Sequence, residues 1–321
     1  SGVLIMDKCA DLLPDCFRFV KGVVDSPDFS LNISREILQH DRQLKVIATA
    51  LEKKIKSELL KLQKDDKEKY EKFWHAFGTQ LKYGVVADYG AKKDLLQDLL
   101  LFWSSKENTY TTLAAYQDRM PEDQKFVYYA CGEDPEKIAK LPQVERILDK
   151  GYEILYCTED VDDFVMKALV ELDGKQFKSV ADEDALPQTE EEKKAAQEKA
   201  EAGKPVLEAV KEALGDQVKE VRISSILKSG ACCLTADGPV SLEMEKYMNK
   251  VEGGQHMKAE RVLELNADSA PFAALKKAVD AGDKDTVSKY AALLYDQALL
   301  LAGLPLEDPA GFAQMVSSLM V

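Results

Sequence analysis

Histidine, tryptophan and paired cysteine are what this 321-residue sequence has least of. It holds three histidines, His40, His75 and His256, and two tryptophans. No CxxC pair occurs and no histidine lies near a cysteine pair, so a zinc site of ordinary spacing is excluded and no metal ligands are assigned. The six cysteines, Cys9, Cys16, Cys131, Cys157, Cys232 and Cys233, mostly sit in apolar runs such as Ala231-Cys232-Cys233-Leu234. They read as small buried hydrophobes of a reducing compartment. No apolar run approaches the roughly 18 residues of a membrane span, and no signal peptide opens the chain. The sequence has no GxGxxG, no P-loop and no GxSxG, and its carboxylates show no catalytic pairing. Nothing here marks a free-standing enzyme. Basic charge is also short: Lys plus Arg number 43 against 57 Asp plus Glu, a net charge of −14. Phosphate binding needs a basic surface, so neither nucleic acid nor an anionic membrane is an expected partner.

What is present suffices for a core. Hydrophobic residues make up 45% of the chain, and its length suggests two or three domains. Residues 3–6 read as a strand that begins abruptly, which suggests a start inside a longer protein. Ala10–Val24 reads as a helix, broken by Asp25-Ser26-Pro27. From about Arg35 to Leu81 the apolar residues Leu44, Ile47, Leu51, Ile55, Leu59 and Leu62 recur at helical spacing, with a turn or solvated face at Lys64–Lys69. Residues 92–180 alternate helices with the strand-like runs Lys125–Ala130, Tyr152–Cys157 and Gln176–Val180, the pattern of a small α/β unit with a parallel sheet. Residues 181–201 hold eight acidic residues and no aromatic, a solvated linker or a polar helix start. Strands at Val218–Ile226, Cys232–Thr235 and Val262–Leu265 follow. A helix spans Leu242–Val251, and three more close the chain. The fold expected is a multidomain α+β / α/β chain. Residues 1–91 form a partial middle domain with long helices and 92–180 a small αβα domain. Residues 181–201 are the acidic linker, and 202–321 form a C-terminal α+β dimerisation domain ending in a helical bundle.

Three patterns carry function. Helix 288–302 is apolar nearly all round, and helix 309–320 places Phe312, Met315, Val316 and Leu319 on one face. A second copy of the chain would cover such surface, which puts Leu293, Leu294, Ala298, Leu301, Phe312, Met315, Val316 and Leu319 at a homodimer interface. Packing inside one domain is the alternative. Second, Arg35 and Gln39 share a helix face near its N-terminus, beside Asn32, and an arginine there suits a phosphate. Third, Met244, Tyr247, Met248 and Val251 form one stripe. Such a stripe is either core or an adaptable binding surface, and Gly253-Gly254 after it favours an exposed helix.

The run Leu31-Asn32-Ile33-Ser34-Arg35-Glu36-Ile37-Leu38-Gln39 resembles the heat-shock protein 90 chaperone family, in its bacterial HtpG branch. The likeness extends through Arg18-Phe19-Val20-Lys21-Gly22, Arg119-Met120-Pro121-Glu122-Asp123-Gln124-Lys125, Asp296-Gln297-Ala298-Leu299-Leu300 and Leu306-Glu307-Asp308-Pro309. The resemblance implies a fragment, middle and C-terminal domains only, of a cytoplasmic ATP-driven chaperone. Arg35, Gln39 and Asn32 then act on ATP and Mg2+ held by an N-terminal domain outside this chain. The fragment itself has no cofactor and is no enzyme, while its parent is an ATPase of protein folding and the stress response. Phe164, Met244, Tyr247 and Met248 are implied contacts for non-native client proteins. The rival reading is a homodimeric scaffold without chaperone activity.

Overall fold

A computed structural model describes residues 4–26, 42–251 and 257–320. In chain order they form α1 (Arg42–Asp65), α2 (Lys67–Val86), β1 (Leu101–Ser104), β2 (Tyr110–Thr112), α3 (Leu113–Arg119), β3 (Val127–Cys131), α4 (Glu145–Asp149), β4 (Ile154–Cys157), α5 (Asp162–Leu169), β5 (Glu171–Leu172) and β6 (Lys175–Ser179). The chain continues through α6 (Glu190–Leu214), β7 (Glu220–Ile223), β8 (Cys232–Asp237), α7 (Leu242–Lys250), β9 (Glu260–Leu265), α8 (Ala270–Asp280), α9 (Lys284–Leu301) and α10 (Pro309–Ser317). Two compact units result. One comprises Ser1–Phe102, Tyr110–Arg119 and Phe164–Leu172; the other comprises Trp103–Thr109, Met120–Asp163 and Asp173–Val321.

The first unit is built on the α1–α2 hairpin. A long helical region with a turn or solvated face at Lys64–Lys69 was the expectation here. The chain does break within that patch, at Asp66, whose carboxylate accepts from the Lys69 amide at 3.0 Å and caps α2. Tyr70, Trp74, Leu81 and Val85 of α2 are buried, and the Tyr70 hydroxyl donates to the Leu99 carbonyl at 2.6 Å. Gly84 is required where α2 meets Cys16, because a Cβ there would lie 2.5 Å from the Cys16 Cβ. The helix expected at Ala10–Val24 is absent. Two short 3-10 turns, Ala10–Leu12 and Asp15–Phe17, flank Pro14, whose ring removes a donor and blocks the preceding helical turn. Residues 4–6 are not a strand either.

In the second unit β3 runs parallel to both β4 and β6, as the alternating pattern predicted. The sheet is nevertheless mixed, because Trp103 and Ser104 of β1 pair antiparallel with Tyr156 and Leu155 of β4. Tyr128, Ile138, Ile147, Ile154 and Val180 fill the core beside it. The second sheet has the order β7-β9-β8, with β7 parallel and β8 antiparallel to β9. Helices α6, α8 and α9 bury Val206, Val210, Leu275, Ala291, Leu294 and Ala298 with Leu234, Leu263 and Leu265 of that sheet.

The acidic stretch is helical from Glu190 onward. The Thr189 hydroxyl accepts from the Glu192 amide, and the Glu192 carboxylate accepts from the Thr189 amide at 2.8 Å, a complete capping box. Glu, Lys and Ala, all good helix formers, then carry α6 without interruption into the segment whose apolar residues were legible. Gly215, at φ 55°, ends it.

Candidate functional site

The Asn32, Arg35 and Gln39 loop, with Ser34, lies outside the described residues, as do His40 and His256. His75 is exposed, with its ring edge-on to Tyr110 at 5.5 Å. Among the described residues no group of three or more His, Cys, Asp or Glu is placed to hold a metal ion. No helix among them is long and apolar enough to cross a membrane. All six cysteines are free thiols, and burial pushes Cys16 up to about 11 and Cys232 up to about 12.

The expected binding residues are half-buried: Phe164 on α5, and Met244, Tyr247 and Met248 on α7. The deepest side chain of α7 is not one of its methionines but Glu245, 4% exposed. One carboxylate oxygen of Glu245 accepts from Arg261 Nη2 at 2.6 Å, and the other accepts from the Ala259 amide at 2.8 Å. Arg261 Nη1 in turn donates to the Tyr295 hydroxyl on α9 at 2.8 Å. Burial alone would lower the Arg261 pKa, but the bonds to Tyr295 and Glu245 outweigh it and hold the guanidinium above its ordinary value. A buried charge is tolerated only when paired in this way. Beside this polar anchor Met244, Tyr247 and Met248 stay half-buried, and Val251, just after the helix, is exposed.

Both ends of α7 are fixed. The Ser241 hydroxyl accepts from the Met244 amide at 3.1 Å and donates to Asp163 Oδ2 at 2.6 Å, so one side chain caps the helix and ties it down. Asp163 Oδ1 accepts from the Tyr129 hydroxyl at 3.0 Å. Lys250 reaches both oxygens of Asp160 at 2.8 and 2.9 Å. Lys246 donates to the Ala302 carbonyl at 3.0 Å, neutralising the C-terminal end of α9. Burial, with Asp163 and Asp160 nearby, raises the Glu243 pKa against the opposing pull of Lys246. The bond from Ser241 to Asp163, and the roles of Glu245, Arg261 and Tyr295, were not legible in the sequence, because they join residues far apart in it.

The expected interface residues divide. Leu294 and Ala298 belong to the chain's own core, at 5% and 0% exposure, and cannot present surface to a second copy. They face the β-sheet because α9 is sandwiched within its own unit, the alternative packing that the all-round apolar pattern had left open. Leu293 and Leu301 are half-buried and Leu300 is exposed. On α10 no residue is buried: Phe312, Met315 and Val316 are half-covered, and Leu319 is 52% exposed.

Comparison with known proteins finds relatives over the whole chain. The family model described as Hsp90 protein matches residues 1–321. The chain is 54% identical over 321 residues to the chaperone protein HtpG of Bacillus subtilis (strain 168), covering 100% of this chain and 51% of that protein. It is 54% identical over 320 residues to the chaperone protein HtpG of Clostridium acetobutylicum, and 53% identical over 320 residues to that of Clostridium perfringens (strain ATCC 13124). In both cases it covers 100% of this chain and 51% of the relative. The chain thus spans about half the length of the curated relatives it matches. With this match running from the first residue to the last, the chain belongs to the Hsp90 protein family.

Proposed function

We propose that the chain is the client-holding and self-associating part of an ATP-driven, cytoplasmic protein-folding chaperone. The observation that carries this reading is α7, an amphipathic helix pinned at both ends by polar bonds while Met244, Tyr247 and Met248 stay half-exposed. Part of that stripe's surface reaches solvent, where a non-native polypeptide can meet it, and methionine adapts to many partners. Phe164 supplies a second apolar contact. Self-association falls to Leu293, Leu301, Phe312, Met315, Val316 and Leu319, the apolar side chains of α9, α10 and the turn after α10 that the chain's own core leaves partly uncovered.

Arg35, Gln39 and Asn32 are assigned to ATP turnover through the family resemblance, with the nucleotide and Mg2+ held by the part of the relatives that this chain does not match. When bound, the nucleotide supplies the energy of the cycle. Arg35 contributes positive charge where the γ-phosphate develops negative charge.

The decisive experiment is suppression of aggregation of a heat-denatured test protein by this chain. The intact chain is expected to slow aggregation, and Phe164→Ala with Met248→Ala to lose most of that effect while keeping the same thermal melt. Equal protection by the variant, or none by either, overturns the client-holding assignment and leaves a scaffold role.

A further inference from the structure

In the sheet β7-β9-β8, β7 is an edge strand. Its pairing with β9 runs in register from Glu220 opposite Val262 to Ile223 opposite Leu265, and among the described residues no strand lies on its other side. A cleft of about 1270 Å3 lies beside it, within the second unit, and every residue from 220 to 225 lines that cleft. Successive side chains of a strand point to opposite faces, so a cavity over one face would touch only alternate residues. Contact with an unbroken run means that the cleft runs along the strand's edge, where backbone N–H and C=O groups are presented. Since β9 occupies one edge, the cleft occupies the free one.

We propose that this cleft binds an extended peptide segment by strand addition to β7, with an acidic side chain of the peptide meeting Arg146 and Lys150. An open ladder edge is complementary to another extended backbone and to little else. A four-residue strand is about 13 Å long, which suits a segment of similar length. The cation of β7 does not screen the edge, because Arg222 is held by Glu183 at 3.0 Å and by Glu264 at 3.3 Å. Acidic groups such as Glu183, Asp184, Glu192 and Glu220 line the cleft too, so the charge preference is confined to the end by α4, where Arg146 and the adjoining Lys150 stand one helical turn apart. Arg146 donates to the Ser225 carbonyl at the end of the strand, and both Arg146 and Lys150 act on the Glu192 carboxylate of α6, which an acidic peptide side chain would have to displace. The opposite wall is the first half of α6, where Ala196 and Ala200 keep the cleft wide.

The proposal deepens the chaperone reading by adding a site that reads backbone rather than apolar side chains. Its test reads peptide binding alone, so it stands or falls separately from suppression of aggregation. The probe is a fluorescein-labelled octapeptide of alternating valine and threonine with one central aspartate, titrated with the full chain by fluorescence anisotropy. Saturable micromolar binding is expected. N-methylation of the four central peptide amides should weaken it by about tenfold or more, since those amides form the ladder. Ala196→Trp and Ala200→Trp, both on a partly exposed helix face, should each fill the cleft and weaken binding as strongly, with an unchanged thermal melt. Replacing the peptide aspartate by lysine should weaken binding severalfold, a difference that Lys150→Glu abolishes. Absence of binding, equal binding of the N-methylated peptide, or binding that survives both tryptophan variants overturns the proposal. So does a rise in mass without peptide that either tryptophan removes, since the occupant would then be a second copy of the chain.

Discussion

Arg261 Nη2 and Glu245 Oε1 stand 2.6 Å apart with both side chains less than a tenth exposed. The pair joins α7 to β9, and through the Tyr295 hydroxyl it joins both to α9. Removing one partner leaves a buried charge unanswered. Glu245→Ala is expected to cost about 3–5 kcal/mol in urea unfolding. The double change Glu245→Met with Arg261→Met should cost clearly less, since apolar groups of similar volume replace both charges. A double variant as unstable as the two single changes summed would show that the pair is not coupled.

Glu264 gives a pH prediction. It is 1% exposed and accepts from Ser224 at 2.7 Å, Thr235 at 3.1 Å and Arg222 at 3.3 Å. Burial raises its pKa above the ordinary 4.5 despite those bonds, and Glu243 is raised in the same direction, also by burial. The folded state therefore binds these protons more tightly than the unfolded state. Their contribution is fully present below the ordinary carboxylate value and is lost as pH rises through the raised folded values. Exposed carboxylates with lowered pKa, such as Asp237, act in the opposite sense but are screened by solvent. Glu264→Gln should flatten the dependence of melting temperature on pH in the window upward from 4.5. A variant whose slope matches the parent's would remove Glu264 from the account.

Leu294 and Leu300 lie on one helix with opposite fates, 5% and 51% exposed. Leu294→Ala should cost about 2–5 kcal/mol through the cavity it leaves. Leu300→Ala should change monomer stability by no more than about 0.5 kcal/mol. Chemical denaturation below the self-association threshold separates them.

Phe312→Asp with Val316→Asp places two charges on the half-covered apolar face of α10. Light scattering is expected to show a dimer for the parent and a monomer for this variant, with an unchanged circular dichroism spectrum, because neither residue is buried in the chain's own core. A parent that is monomeric at every concentration would remove α10 from the interface.

Thr189→Ala removes one half of the capping box on α6. A loss of about 1 kcal/mol is expected. It should appear as faster hydrogen exchange confined to the first turns of that helix.

Much of the second unit was legible because its signals are local. At the start of α10 the Asp308 carboxylate, just before Pro309, accepts from the Gly311 amide at 2.9 Å, and Gly303, at φ 70°, ends the turn after α9. The strand-like runs became β3, β4, β6, β7, β8 and β9, with ends shifted by up to three residues. What failed depended on partners far along the chain. The density of apolar residues near Ala10 concealed the effect of Pro14, whereas the charged patch Lys64–Lys69 does hold the break between α1 and α2, at Asp66. A helix that is apolar all round cannot say which of its sides meets its own sheet, so Leu294 and Ala298 were read outward. The polar anchors of α7 were invisible for the same reason: Asp163 to Ser241 and Glu245 to Arg261 are paired only by the fold.

Helix α6 is buried only from Gly203 onward, at Gly203, Val206, Val210 and Leu214. Ahead of Gly203 it projects as an arm of about 20 Å with no core beneath it. Lys199 tethers that arm to Asp268 by one ion pair at 2.6 Å, with both groups about half or more exposed to water, which offers little resistance. Mechanically this is a stiff lever with a firm fulcrum and a loose end. A tilt of about 15° at the fulcrum carries the tip by about 5 Å, the spacing between neighbouring strands of a sheet. Small adjustments in packing around Gly203 and Phe272 are therefore magnified at Thr189 into displacements the size of a polypeptide backbone.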